Sequence, residues 1–240
     1  MEKNNKITII AFTFAGGSKY SYQKLSQKLP QFVVIEYPGR GLRIGEDLID
    51  DIDLLVENLM PKVLHEISLS NEYVIYGHSL GGLVGYLICH KLQELGIKKP
   101  LKLIVSGRKA PSIGRKEKIA HLSNNLFWEE VVKIGGVPIA LQNNSDLIEF
   151  YAPILKADFK TIENYNYIEN MRLDFPIDVF YGTEEEITDE EKLLWEKEST
   201  KDTIINMLEG DHFFIYNHET FFINYFKSLS KNSDLLFNYV

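Results

Sequence analysis

The 240-residue chain has one cysteine, Cys89, so it can form no disulfide within itself, and no Cys/His set shows the spacing of a structural zinc site. It has no apolar run approaching the roughly 18 residues a membrane-spanning helix requires. The amino terminus, Met1 to Asn5, is polar and enters a short apolar run directly, without the longer stretch and small-residue cleavage site of a signal peptide. A basic excess is missing too. With 26 Lys and Arg against 34 Asp and Glu the net charge is -8, which argues against general affinity for nucleic acid or anionic membrane. Repeats and low-complexity tracts are also lacking. These absences predict a cytoplasmic, metal-free protein with no membrane or nucleic-acid partner.

What is present is 45% hydrophobic and 25% charged residues, the composition of one packed domain spanning 1–240. Six β-rich runs stand out: Ile7 to Phe12, Phe32 to Tyr37, Tyr73 to Tyr76, Leu101 to Ser106, Ile177 to Tyr181 and Thr203 to Leu208. Helical patterns lie between and after them, at Tyr20 to Leu29, Asp47 to Ile67, Gly82 to Leu95, Glu190 to Lys197 and Thr220 to Leu229. Such alternation predicts an α/β fold with a mostly parallel central sheet flanked by helices. The interval 112–170 breaks it, with two helical stretches, Asn124 to Ile134 and Asp146 to Ile168, and no convincing strand. It reads as a helical insertion after the fourth strand, with Gly114 and Gly135-Gly136 as candidate hinges and more mobility than the sheet.

Gly77-His78-Ser79-Leu80-Gly81 follows the third strand and opens the next helix. A serine on a sharp strand-to-helix turn needs neighbours without bulk, and the two glycines supply them. Ser79 is therefore the candidate nucleophile, and the N–H of Leu80, at the helix start, a candidate donor to an oxyanion. Serine alone is a weak nucleophile, so a base is required. Of six histidines, His212 lies just beyond the last strand, in Glu209-Gly210-Asp211-His212, and reaches the same sheet edge as Ser79. The acid belongs after the fifth strand, where the chain offers Gly182-Thr183-Glu184-Glu185-Glu186. Spacing of three residues after the glycine selects Glu185, with Glu184, Glu186 and Asp189 as alternatives. A second oxyanion donor is expected from Thr13-Phe14-Ala15-Gly16-Gly17-Ser18, at Ala15 or Phe14, in a loop that also suits Ser18 as a helix cap. That loop has neither the ending of a phosphate loop nor dinucleotide-binding glycine spacing, and no cofactor is expected.

Six segments in order along nearly the whole chain resemble the type II thioesterases, the stand-alone editing hydrolases of nonribosomal peptide and polyketide synthases. They are Phe12 to Ser18, Tyr37-Pro38-Gly39-Arg40-Gly41, Gly77 to Gly82, Ser106-Gly107-Arg108-Lys109-Ala110-Pro111, Leu155-Lys156-Ala157-Asp158-Phe159 and Gly210 to Phe214. The resemblance implies an α/β-hydrolase fold with a helical lid. It further implies hydrolysis of acyl groups from the phosphopantetheine arm of an acyl or peptidyl carrier protein through an acyl-serine, with Ser79 as nucleophile and His212 as base. Two positions depart from the family pattern: Thr13 stands where proline is usual and Glu185 where aspartate is usual. Arg40 and Arg108 match family positions and read as arginines that fix neighbouring carbonyls or carboxylates by forked hydrogen bonds. Arg108, Lys109, Arg115, Lys116 and Lys118 form a candidate docking face for an acidic carrier. Two other functions fit the same motif, a carboxylesterase or lipase acting on oxygen esters and a hydrolase-fold binding protein without catalysis.

Overall fold

In a computed structural model, which describes residues 7–229 apart from 116, 138–141, 143 and 170, the β-rich runs pair into one sheet. The strands are β1 (Thr8–Phe12), β2 (Phe32–Val34), β3 (Tyr73–His78), β4 (Leu103–Ser106), β5 (Ile177–Gly182) and β6 (Thr203–Leu208). Their order is β2-β1-β3-β4-β5-β6, and every pairing is parallel. Parallel strands need both faces covered, and β3, β4 and β5 are buried throughout. One face packs under α2 (Ile52–Ser68) and α3 (Leu80–Glu94), the other under α1 (Gln23–Lys28) and α7 (Glu219–Leu229). A short α6 (Asp189–Leu193) leads toward β6. No helix among the described residues is long and apolar enough to cross a membrane.

From β1 the chain moves outward to β2, then returns to place β3 on the opposite side of β1. The loops leaving β1 and β3 therefore diverge at their carboxyl ends, and the crevice between them is where open α/β sheets bind ligands. Both glycine-rich segments of the sequence lie there.

Several elements differ in extent from their patterns. β2 stops at Val34, ahead of the Pro38-Gly39 turn, although Ile35 still donates to Ala11. α2 starts at Ile52 because the Asp51 carboxylate accepts from the Leu54 N–H and caps the helix there. The pattern at Glu190 to Lys197 divides into α6 and a 3-10 turn, Leu194–Glu198, that seats Trp195 in the core. The interval after β4 contains α4 (Asn124–Ile134) and α5 (Ser145–Glu163), which pack together around Phe127, Trp128, Val131, Leu155 and Phe159.

Candidate active site

Ser79 sits between β3 and α3 with φ 54° and ψ -115°, the one non-glycine residue of positive φ among those described. Its N–H donates to Ser106 O at 2.8 Å and its carbonyl accepts from Gly82 N–H at 3.0 Å, so the turn is held from both sides. Such a conformation costs on the order of 1–3 kcal/mol and persists only where the surroundings impose it. The surroundings here are backbone. A Cβ at Gly77 would lie 2.0 Å from Gly81 O, and one at Gly81 2.2 Å from Phe12 O. The glycines therefore let the first turn of α3 press against β1 and β3, which presents Ser79 at the sheet rim with the Leu80 N–H beside it.

The loops after β5 and β6 run together. Thr183 N–H donates to Leu208 O and Glu184 N–H to Gly210 O, at 2.8 and 3.0 Å. Gly182 is required because the carbonyls of Gly210 and Asp211 cross it, 2.5 and 2.4 Å from where a Cβ would stand. This contact brings Glu185 Oε1 to 2.7 Å from His212 Nδ1, while Oε2 accepts the Gly182 N–H at 2.9 Å. Glu184 and Glu186 are exposed, and Asp189 pairs with Lys192 at 2.9 Å. The other histidines are engaged elsewhere or distant in the fold. His218 meets Glu209 O, whereas His78 is buried with Nδ1 2.9 Å from Ser106 Oγ. Burial, and then the nearby His212, hold the His78 imidazole well below its ordinary pKa, so it stays neutral beside the base.

The loop after β1 is fixed from three directions. Thr13 Oγ1 donates to Gly17 O at 3.2 Å, Tyr37 Oη donates to Thr13 O at 3.0 Å, and Asp158 Oδ2 accepts the Gly16 N–H at 2.7 Å. Gly17 N–H is taken by Phe14 O, which leaves the N–H groups of Phe14 and Ala15 as the loop's candidate oxyanion donors. Asp158 comes from α5, and its carboxylate is also gripped by Arg40 through Nη1 at 2.5 Å and Nη2 at 2.7 Å. Both side chains are at most 5% exposed. Arg40 thus makes the forked bond expected of it, and the insertion is tied to the loop on which Phe14 and Ala15 sit.

A cavity of about 860 Å³ opens over this edge, lined by Ser79, His212 and Glu185 at its floor and by Trp128, Tyr151 and Leu155 of the insertion above. The apolar stripes of α4 and α5 therefore form a core between the helices and wall the cavity as well. Aromatic rings close one side. Phe14 meets Phe213 edge-on at 5.2 Å, and Phe213 stacks with Tyr216 at 6.3 Å.

Of the basic cluster after β4, Lys116 lies outside the described residues. Lys109 pairs with Glu191 at 2.7 Å, and Arg115 donates to Glu117 O and covers the Phe159 ring at 4.9 Å. Arg108, Lys109 and Arg115 all line the cavity, and of the four described only Lys118 is exposed, so the segment faces inward more than a docking face requires. Sequence reasoning gave no role to Asp158 or Phe213. The signal for Asp158 was an acid within the apolar stripe of α5, between Leu155 and Ile162, where a solvated residue does not fit.

A family model described as "Thioesterase domain" matches residues 7–229. Among curated proteins, the linear gramicidin dehydrogenase LgrE of Brevibacillus parabrevis is 28% identical over 91% of this chain and 86% of its own. The medium-chain S-acyl fatty acid synthase thioesterase of Rattus norvegicus is 27% identical over 95% and 89%. Among solved structures, ClbQ from the colibactin NRPS/PKS pathway superposes with a TM-score of 0.86 at 28% identity, covering 94% of this chain and 98% of that one.

Proposed function

The chain belongs to the thioesterase-domain family, and from that premise we propose that it unloads acyl groups from the phosphopantetheine arms of carrier proteins that serve a nonribosomal peptide or polyketide synthase. The enzyme is a thioester hydrolase of the α/β-hydrolase fold. The association of ClbQ with an NRPS/PKS pathway supports the synthase setting. The observation that carries the reaction is the Glu185–His212 pair at 2.7 Å in the cavity that Ser79 also lines.

Glu185 holds the His212 ring by Nδ1, so Nε2 is the nitrogen free to take a proton. His212 accepts the Ser79 proton as Oγ attacks the thioester carbonyl, and the oxyanion is met by the N–H of Leu80 and that of Ala15 or Phe14. The tetrahedral adduct collapses, the C–S bond breaks, and the proton passes from His212 to the leaving thiolate. Water then enters, gives its proton to His212 and attacks the acyl-Ser79 ester. Collapse of the second adduct returns the proton to Ser79 and frees a carboxylic acid. Burial keeps His78 neutral, so His78 adds no positive charge beside the imidazolium that forms at His212.

The test compares an acyl-carrier thioester with an oxygen ester of the same acyl chain. The thioester is expected to turn over faster, and Ser79→Ala to abolish both turnover and fluorophosphonate labelling. Equal rates on the ester would favour a carboxylesterase, and labelling that survives in Ser79→Ala would remove Ser79 from its role.

A further inference from the structure

Arg108 follows β4 next to the catalytic edge of the cavity. Its predecessor Gly107 is so close to the base that a Cβ there would lie 3.2 Å from His212 Cε1, and the Arg108 Cβ lies 3.3 Å from the Cβ position of Gly82 in the first turn of α3. The side chain thus starts within one residue of the reacting centre and lines the same cavity as Ser79. Its Nε is buried and has no hydrogen-bond partner. No acidic residue among those described forms a salt bridge with its guanidinium. Burial lowers its pKa to about 10, and the groups around it are the phenols of Tyr165 and Tyr181 and a second cation, Arg115. Glu185 is committed to His212 and Gly182, and Glu191 pairs with Lys109; Glu117, Glu184, Glu186 and Asp211 also line the cavity, and none of them forms an ion pair with Arg108.

Burying a guanidinium without a counter-charge is costly, and the cost falls when an anion enters. At neutral pH Arg108 is still charged. We infer that Arg108 and the adjoining Arg115 form an anion subsite beside Ser79 that selects acyl groups carrying a second carboxylate a few bonds from the thioester carbonyl. This deepens the thioesterase reading and rests on it. A pantetheine arm carries its phosphate at the end remote from the sulfur, outside the reach of a group this close to Ser79, so the anion belongs to the acyl part. Recognition is a forked, charge-assisted pair, the geometry for which arginine is suited.

The experiment uses N-acetylcysteamine thioesters, which lack the arm's phosphate. Malonyl and glutaryl thioesters are compared with counterparts in which the terminal carboxylate is a primary amide of the same size, with spontaneous hydrolysis subtracted. The wild-type protein is expected to favour the acid by kcat/KM, and Arg108→Gln to reduce the acid-to-amide ratio by roughly tenfold to a hundredfold. Arg108→Lys should keep part of the preference. A wild-type ratio at or below one overturns the inference whether or not the variants fold, as does a ratio in folded Arg108→Gln within about twofold of wild type. Turnover of the amides shows that thioester hydrolysis stands even where the subsite fails. If no thioester is turned over, binding of the glutaryl thioester to Ser79→Ala by calorimetry decides the subsite. Binding weakened about tenfold by adding Arg108→Gln supports it, and unchanged binding overturns it.

Discussion

At Glu185 both carboxylate oxygens are engaged, one by the His212 ring and the other by the backbone of its own loop at Gly182. The second bond lets a glutamate reach the imidazole where aspartate is usual in the family pattern: the longer side chain folds back over its turn and is held there by a main-chain donor. Replacing Glu185 with Gln keeps the size and an acceptor but removes the charge that stabilises the imidazolium. Glu185→Gln is expected to lower kcat by about 10³ to 10⁴, by the logic that governs a triad acid. Glu184→Gln and Glu186→Gln, at exposed positions, should stay within about twofold of wild type. Steady-state kinetics on one thioester would separate them, and equal losses at all three would mean that the acidic turn acts as a diffuse field. The triad candidates were legible in the sequence because each is tied to a local backbone rule, Ser79 to its glycines and Glu185 to its distance from Gly182. Asp158 was not, since its partners Arg40 and Gly16 are 118 and 142 residues away and no local pattern encodes that meeting.

Elements were read correctly where burial dictates them and less well where capping does. Strands β3, β4 and β5 are buried along their whole length and lie within a few residues of their patterns, whereas the start of α2 is displaced by a side-chain cap at Asp51. The join of β3 and α3 carries the strictest demand. Gly81 faces the carbonyls of Phe12 and Thr13, 2.2 and 2.8 Å from where a Cβ would sit, and these are backbone atoms of β1 and the loop that follows it. Neither can yield without moving the loop that bears Phe14 and Ala15. Gly81→Ala should therefore destabilise the fold by about 2–4 kcal/mol and slow acylation of Ser79. Gly114→Ala, with nothing within 4 Å, should fall within about 0.5 kcal/mol of wild type. Urea midpoints and fluorophosphonate labelling rates measure both effects. A Gly81→Ala protein of native stability and labelling rate would show that α3 does not need this close approach.

At the scale of the whole molecule, the insertion divides into a fixed part and a freer one. α5 is joined to the body by the buried Arg40–Asp158 pair and by Leu155 against Gly16, while within the insertion Glu163 Oε1 accepts the N–H groups of Ile119 and Ala120. α4 packs against α5 and is followed by Gly135 and Gly136, both at positive φ, with Gly136 lying on the Phe213 ring. A lid that swings as one unit would have to break the Arg40–Asp158 pair, and separating such a pair costs about 3–5 kcal/mol because each charge is left buried alone. Movement of α4 over the cavity breaks no buried ion pair among the described residues. Hydrogen exchange is expected to show α5 near Asp158 as protected as β3, with α4 and the Gly135-Gly136 turn opening far more readily. Asp158→Asn should then lower the protection of α5 by about 3 kcal/mol and reduce kcat more than it raises KM, because the Gly16 end of the oxyanion loop loses its charged acceptor. Uniform fast exchange across α4 and α5 would instead make the insertion a single moving lid and leave the Asp158 clamp without a mechanical role.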